Sequence, residues 1–182
     1  MSKRAIIVVD IQNEYFAEGK FPLVGIENAA ANAAKVITAA RQKGDLVVHI
    51  QHEMPMPDAP IFVRGSDGVQ INDTVKPAED EAVIVKNFPN AFRGTPLKQT
   101  LDDNGVEEVV VVGAMSHMCI DATVRAANDL GYRTTTIHDA CATRDLEFGG
   151  TITPATQVHA ALMAALAFYY GEVIDTATWI ER

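Results

Sequence analysis

Glu108-Val-Val-Val-Val-Gly113-Ala-Met-Ser-His-Met-Cys119 is the stretch of the chain that decides the fold. Its valines form the purest apolar run in the sequence, and a β-branched run of this kind is typical of a strand buried on both faces. A helical stretch begins near Cys119, only a few residues later, and ends at Gly131. The junction therefore predicts a strand followed by a helix, with a cysteine where the two meet.

The same alternation of strands and helices extends in both directions from this junction. Further strands are predicted over Ala5 to Asp10, Asp45 to Gln51, Ala82 to Lys86, Arg133 to Asp139 and Glu172 to Asp175. Helices are predicted over Ile26 to Lys43, after Thr95-Pro96, and from Thr153-Pro154 to about Tyr170. This pattern predicts a three-layer, Rossmann-like α/β fold. We expect a six-stranded, mainly parallel sheet in the order 3-2-1-4-5-6, with helices on both faces.

Length and composition favour one packed core. The chain has 182 residues, of which 48% are apolar and 21% charged, and we expect a single domain over residues 1–182. A net charge of −9 would repel nucleic acid and anionic membranes, because a binder must neutralise their phosphates. The apolar run after Met1-Ser-Lys-Arg is too short for a signal sequence or a membrane span. The two cysteines could form one disulfide, but a domain with a large core and no signal peptide is better interpreted as reduced and cytoplasmic.

The connection from His52 to Asp80 is long for a compact domain. It contains Met54-Pro-Met-Pro and Arg64-Gly-Ser-Asp-Gly, which favour a loop over a helix. Loops of this length tend to be functional or irregular. We therefore expect this segment to cover part of the domain.

Three reactive side chains fall at one predicted edge of the sheet. Asp10 closes the first strand, Lys86 closes the third, and Cys119 follows the fourth. Ligands bind at the carboxyl ends of the strands in such folds, so we expect the three groups to converge. Free amides at the start of the helix would lower the pKa of Cys119 and could stabilise an oxyanion.

Each of these residues alone has a plainer interpretation. Cys119 could be a small buried hydrophobe, Asp10 could cap the next turn, and Lys86 could be a solvated residue at a strand end. Together they supply a nucleophile, an acid–base carboxylate, and an ammonium that keeps the carboxylate ionised and favours the thiolate. The set predicts a hydrolase that needs no metal.

Four motifs, in this order, give the chain a family resemblance: Val9-Asp10-Ile-Gln-Asn-Glu-Tyr-Phe16, Lys86-Asn-Phe-Pro-Asn-Ala-Phe92, Gly113-Ala-Met-Ser-His-Met-Cys119 and Asp139-Ala-Cys-Ala-Thr143. With them the chain resembles the isochorismatase-like cysteine hydrolases, which include nicotinamidases, N-carbamoylsarcosine amidases, ureidoacrylate amidases and streptothricin hydrolase. The resemblance implies a triad of Asp10, Lys86 and Cys119 and a thioester intermediate. It also implies an oxyanion hole from the backbone amides of Met115 and Cys119, and a cis peptide between Ala114 and Met115.

The departures from the family narrow the expected chemistry. Isochorismatase proper lacks a cysteine at the position of Cys119, so the cysteine favours hydrolysis of an amide, ureido or lactam bond in a small molecule. Nicotinamidases carry an Asp-x-His metal motif, which Gln51-His-Glu-Met54 does not reproduce, so we expect no metal and no other cofactor. His49 and His52 should point to opposite faces of the second strand, and we interpret both as incidental.

Several aromatic residues are candidates for contacts with the substrate. Phe16, Phe88, Phe92 and Phe148 lie in segments near the predicted cleft, and His117 lies two residues before the cysteine. Core packing is an equally good interpretation of the phenylalanines, as is packing or capping of His117. The family resemblance and the apolar helix from Ala160 to Tyr170 suggest a homo-oligomer, a dimer or larger.

Three other functions compete with amide hydrolysis. Dinucleotide binding is disfavoured because neither Ile11-Gln-Asn-Glu-Tyr nor the single Gly113 offers a glycine-rich turn. A thiol redox role is disfavoured because Cys141 has no helix-start setting and is better explained by packing. A hydrolase of another small metabolite, or a catalytically silent binding protein with this fold, stays open as the alternative.

Overall fold

The main sheet has six strands, and all of them are parallel. The computed structural model describes residues 3–56 and 58–182; Met1, Ser2 and Pro57, which belong to segments considered above, lie outside the described residues. The strand order is β3-β2-β1-β4-β5-β8. The strands are β1 (Arg4–Val9), β2 (Leu46–His52), β3 (Ala82–Lys86), β4 (Glu108–Ala114), β5 (Arg133–Ala142) and β8 (Glu172–Ile174). The predicted fold class and strand order are confirmed, with β8 as the expected sixth strand.

Helices cover both faces of this sheet. They are α1 (Ile26–Lys43), α2 (Leu97–Asp103), α3 (Asp121–Asp129), α4 (Ala155–Tyr169) and α5 (Thr176–Ile180). Helices α1 and α5 bury Val36, Ile37 and Trp179 on one face, against residues such as Ile6 and Val8 of β1. Helices α2, α3 and α4 pack on the other face, against the alternate residues of the same strands. None of the helices in the described residues is long and apolar enough to cross a bilayer.

A small antiparallel hairpin was not predicted. Strands β6 (Leu146–Phe148) and β7 (Thr151–Thr153) pair with each other and stand apart from the main sheet. Gly149 and Gly150 join them with φ of 59° and 78°, the left-handed conformation that a two-residue hairpin turn requires. The Gly-Gly pair was the available signal, but strands of three residues are too short to show a clear alternation.

Gly113 fixes the closest approach of β4 to β1. It has φ of 128°, and a Cβ atom there would lie 1.9 Å from the carbonyl oxygen of Val9. Val9 is the residue before Asp10, so the absence of a side chain at position 113 allows the two strand ends to lie side by side. The glycine therefore helps to position the candidate site.

We expect Gly113→Ala to reduce the free energy of unfolding by about 3 kcal/mol or more, because it adds a backbone clash to an unfavourable φ. Denaturant unfolding would measure the loss. Gly131→Ala is the matched control, since Gly131 has φ of 94° but open space around its Cβ position. Equal losses in the two variants would show that the approach of β4 to β1 is not the cause.

Candidate active site

The structure brings Asp10, Lys86 and Cys119 together at the carboxyl edge of the sheet. Lys86 Nζ lies 2.6 Å from Asp10 Oδ2 and donates to Cys119 Sγ at 3.2 Å. Asp10 follows β1, Lys86 ends β3, and Cys119 follows β4, as the sequence predicted. They are 0%, 1% and 6% exposed, so the cluster is almost closed to solvent.

Asp10 lies just after β1 in an uncommon backbone conformation. Its φ is 52°, a left-handed value that aspartate adopts more readily than most residues, and its amide donates to the carbonyl of Ile50 at 3.0 Å. Neither carboxylate oxygen has a well-directed hydrogen bond to a described residue, although Oδ2 is in close ionic contact with Lys86. A fully buried carboxylate needs such a partner, because desolvation disfavours its charge.

Cys119 lies within a π-helical turn, Ser116–Ile120, that leads into α3. The predicted start of the helix near Cys119 lies within two residues of the start of α3, and the π-helical turn before α3 was not predicted. Met115 precedes this turn, and its carbonyl accepts from the amides of Met118 and Ile120 at 3.0 and 3.2 Å. The peptide bond between Ala114 and Met115 is cis, as the family resemblance implied.

The electrostatics of the thiol differ from the prediction. Burial raises the pKa of Cys119 strongly, the negative charge of Asp10 raises it further, and Lys86 opposes both effects. The expectation that helix-start amides would lower this pKa was wrong, because the depth of burial outweighs them. For Lys86, burial acts to lower the pKa, but Asp10 and Cys119 outweigh burial and the pKa is raised. Both shifts favour the protonated form of each group, an ammonium for Lys86 and a thiol for Cys119.

His52 is part of this cluster, which the sequence did not reveal. Its Nδ1 lies 3.0 Å from Lys86 Nζ, and burial, followed by the charge of Lys86, lowers its pKa to about 4. His49 lies on the opposite face, with Nε2 3.0 Å from Glu81 Oε2. The predicted opposite orientation is confirmed, and the contact of His52 with Lys86 is one that the sequence did not predict.

Gln12 and the long loop hold His52 in place. The Gln12 side chain accepts from the His52 amide at 2.8 Å and donates to the His52 carbonyl at 2.9 Å. It also donates to the Val69 carbonyl in the loop. From the same loop, Phe62 packs edge-on against His52, with ring centroids 5.3 Å apart. The prediction that this segment covers part of the domain is confirmed.

Tyr15 is a further buried residue near the cluster. It is 2% exposed, and its pKa is raised by burial first and then by the charges of Asp10 and Cys119. Its ring packs edge-on against Phe62, with centroids 5.1 Å apart. The aromatic pair therefore helps to enclose the candidate site, a role that no local sequence signal indicated.

Three of the predicted substrate contacts are exposed or half-buried. Phe16 lines a cleft of about 490 Å³ together with Asn13 and Gly68. Phe88 is 39% exposed and lies under the guanidinium of Arg93. His117 is half-buried, with Nδ1 2.6 Å from Thr143 Oγ1. Their contact with a substrate stays a prediction.

Two of the predicted contacts receive no support from their positions. Phe92 stacks with Tyr132, centroids 6.2 Å apart, and packs against the core under α2 and α3. Phe148 is 91% exposed on the β6–β7 hairpin. The placement of Phe92 is explained by core packing, and that of Phe148 by a hairpin that the sequence did not reveal.

Cys141 differs from Cys119 in its surroundings. Both cysteines are free, and both are buried in the same apolar cluster. Burial raises the pKa of Cys141 to about 12, and no lysine contributes to lowering it. Among residues 3–56 and 58–182, no group of three or more histidine, cysteine, aspartate or glutamate side chains is arranged to hold a metal ion.

The fold and the site agree with comparisons to known proteins. The family described as Isochorismatase domain matches residues 4–178, and the chain belongs to this family of hydrolases. The uncharacterized isochorismatase family protein YddQ of Bacillus subtilis (strain 168) is 46% identical over 177 residues, which cover 97% of this chain and 98% of that protein. The N-carbamoylsarcosine amidase of an Arthrobacter species is 30% identical over 149 residues, covering 72% and 56%.

A solved structure shows the same architecture over the whole chain. The crystal structure of an isochorismatase hydrolase from Oleispira antarctica has a TM-score of 0.96 and 49% identity to this chain. The comparison covers 100% of this chain and 97% of that one. The layered fold with its parallel sheet is therefore that of isochorismatase structures.

Proposed function

We propose that this protein is a cysteine-dependent hydrolase that cleaves a carbon–nitrogen bond of a small amide, ureido compound or lactam. The observation that carries the proposal is the contact of one buried ammonium, Lys86, with both Asp10 and Cys119. The chain shares its family with an enzyme named as an amidase, which supports this bond class. We propose that the activity resides in one domain that spans the chain.

The first step needs proton transfer, because the buried sulfur rests as a thiol. Asp10 accepts the proton of Cys119 as the sulfur attacks the substrate carbonyl carbon and forms a C–S bond. Lys86 stabilises the negative charge that moves between Asp10 and the sulfur, since its Nζ lies within 3.2 Å of both. The electron pair of the carbonyl moves to its oxygen, which becomes an oxyanion.

Backbone amides are the proposed donors to this oxyanion. Met115 and Cys119 border and belong to the same π-helical turn, and fixed amide dipoles stabilise charge without having to reorganise. When the oxyanion collapses, the C–N bond breaks and Asp10 returns its proton to the leaving nitrogen. The acyl group remains on Cys119 as a thioester; the ammonia or amine departs, or, in a lactam, stays attached to the other end of the acyl group.

Water then hydrolyses the thioester, with Asp10 acting first as a base toward the water and then as an acid toward the sulfur. Asp10 takes a proton from the attacking water, the hydroxyl oxygen bonds to the thioester carbon, and the C–S bond breaks. The proton passes from Asp10 back to the sulfur. The products are a carboxylic or carbamic acid and ammonia or an amine, or a single amino acid when the substrate is a lactam, and the three side chains return to their starting states.

The enclosure of the site favours a small substrate. Cys119 is 6% exposed, and Phe62 and Tyr15 narrow the space around the cluster. A peptide chain would not reach a sulfur enclosed in this way without displacement of the loop.

A cytoplasmic location and assembly as a homo-oligomer stay predictions. The alternative of a catalytically silent binding protein predicts binding without turnover.

A panel of small amides, ureido compounds and lactams tests the proposal. We expect release of ammonia or amine from an amide or ureido compound, or ring opening of a lactam detected as the addition of one water to the substrate. We also expect transient acylation of Cys119, which intact-protein mass spectrometry detects as a mass increase. Turnover should be unchanged by a chelator. Binding of a panel compound without turnover would favour the silent alternative, and turnover abolished by the chelator and restored by a divalent metal would contradict the metal-free mechanism.

A further inference from the structure

We propose that His52 is a positioning residue, whose Nδ1 holds the Lys86 ammonium in the orientation that serves Asp10 and Cys119. The inference rests on the proposed function and assigns a role to a fourth side chain of the same site. It is carried by the distance of 3.0 Å between His52 Nδ1 and Lys86 Nζ, inside a cluster from which solvent is nearly excluded.

The hydrogen-bonding capacity of Lys86 supports this role. A lysine ammonium has three N–H donors and no acceptor. Three acceptor atoms lie within 3.2 Å of Nζ: Asp10 Oδ2, Cys119 Sγ and His52 Nδ1. Lys86 Nζ is hydrogen-bonded to Cys119 Sγ and His52 Nδ1 and in ionic contact with Asp10 Oδ2, so the contact with His52 restricts rotation of the ammonium beside the reacting pair.

The contact also defines the state of the imidazole. Lys86 can only donate, so Nδ1 must accept, and the ring is neutral with its proton on Nε2. The low pKa of His52, caused by burial and by the charge of Lys86, agrees with a neutral ring. A protonated ring would repel the ammonium and leave a buried donor without an acceptor.

The surroundings of His52 keep this acceptor in place. Its amide and carbonyl are both bonded to the Gln12 side chain, and Phe62 packs against the ring. In the register of β2 against β3, His52 pairs directly with Lys86. The strand pairing and these contacts therefore fix the position of His52 Nδ1 opposite Lys86 Nζ.

The variants His52→Asn and His52→Leu test the effect of the acceptor atom separately from the effect of losing the imidazole ring. Their side chains have the same branching, and both lose the contact with Phe62, but only Asn offers an oxygen near the position of Nδ1. We expect His52→Leu to shift the pH profile of Cys119 alkylation by iodoacetamide upward by about one unit, a roughly tenfold slower reaction at pH 8. His52→Asn should stay within about threefold of wild type.

Turnover provides a second readout, since positioning acts on the chemical step. His52→Leu should lower kcat with little change in KM, and His52→Asn should restore kcat. His49→Gln is the control, because it changes a buried histidine on the opposite face and keeps an amide nitrogen for Glu81. We expect its alkylation profile to match wild type.

The outcomes separate this inference from the proposed function. Peptide mass spectrometry assigns alkylation to Cys119 or Cys141, and circular dichroism confirms that each variant is folded. A wild-type profile in folded His52→Leu, or an equal loss in His52→Asn, would overturn the positioning role while leaving the hydrolase intact. Turnover that survives Cys119→Ala would instead remove the proposed function, whatever the His52 variants show.

Discussion

Replacing Cys119 with alanine is expected to reduce turnover of a small amide-type substrate by about 10⁴-fold or more, because the proposed covalent intermediate forms on its sulfur. Initial rates of amine release, measured with the best compound of the panel, would give the ratio. The variant should also fail to accumulate the acyl-enzyme mass increase. The fold should survive, since the change removes one sulfur atom from a cluster that stays packed on its other sides.

Cys141→Ala is the matched control for this prediction. Cys141 is equally buried in the same apolar cluster, but its surroundings lack the carboxylate–ammonium pair. The control should keep nearly full turnover and lose about 1 kcal/mol of stability at most, as expected for a small deletion from a core. If Cys119→Ala kept its activity, or if both variants lost activity equally, the sulfur of Cys119 would not be the nucleophile.

Much of the fold could be predicted because its signals are local. Runs such as Val109 to Val112 are buried on both faces, so they need no alternation to identify a strand. Alternation of those runs with helices then requires parallel pairing and crossovers. The positions of Asp10, Lys86 and Cys119 followed from the same rule, because each lies at or just beyond the end of a strand.

The rest of the site depends on contacts that local patterns do not encode. His52 meets Lys86 only because β2 and β3 pair in a register that aligns them. Gln12 reaches His52 across 40 residues, and Phe62 reaches it from a long irregular loop. Sequence alone specifies neither the register nor the path of that loop, so the residues that support the triad were not found.

Burial explains why the predicted lowering of the Cys119 pKa was wrong. A cysteine near the start of a helix is expected to have a low pKa when it is partly exposed. Here the thiol is enclosed beside a carboxylate, and desolvation dominates. The sequence showed which groups come together but not how deeply they are buried. The extent of burial decides whether the pKa of Cys119 is raised or lowered. The proposed mechanism therefore begins with proton transfer from Cys119 to Asp10 rather than with a standing thiolate.

Asp10→Asn is expected to change turnover and thiol reactivity in opposite directions. Turnover should fall by roughly 10² to 10⁴-fold, because the amide can neither accept the thiol proton nor protonate the leaving nitrogen. Alkylation of Cys119 should become faster, by about tenfold near neutral pH for each unit by which the thiol pKa falls. The sign follows from charge: the carboxylate raises this pKa by repelling the thiolate, and the neutral amide leaves Lys86 to stabilise it.

This divergence distinguishes a proton-transfer group from a structural one. A structural aspartate would, on replacement, disturb the site and slow both reactions together. Asp139→Asn is the control, since Asp139 is also a partly buried carboxylate and accepts from the amide and hydroxyl of Thr176 at 2.8 Å. It should leave both rates close to wild type. Slower alkylation in Asp10→Asn would exclude Asp10 as the charge that opposes the thiolate, and with it the proposed path of the proton.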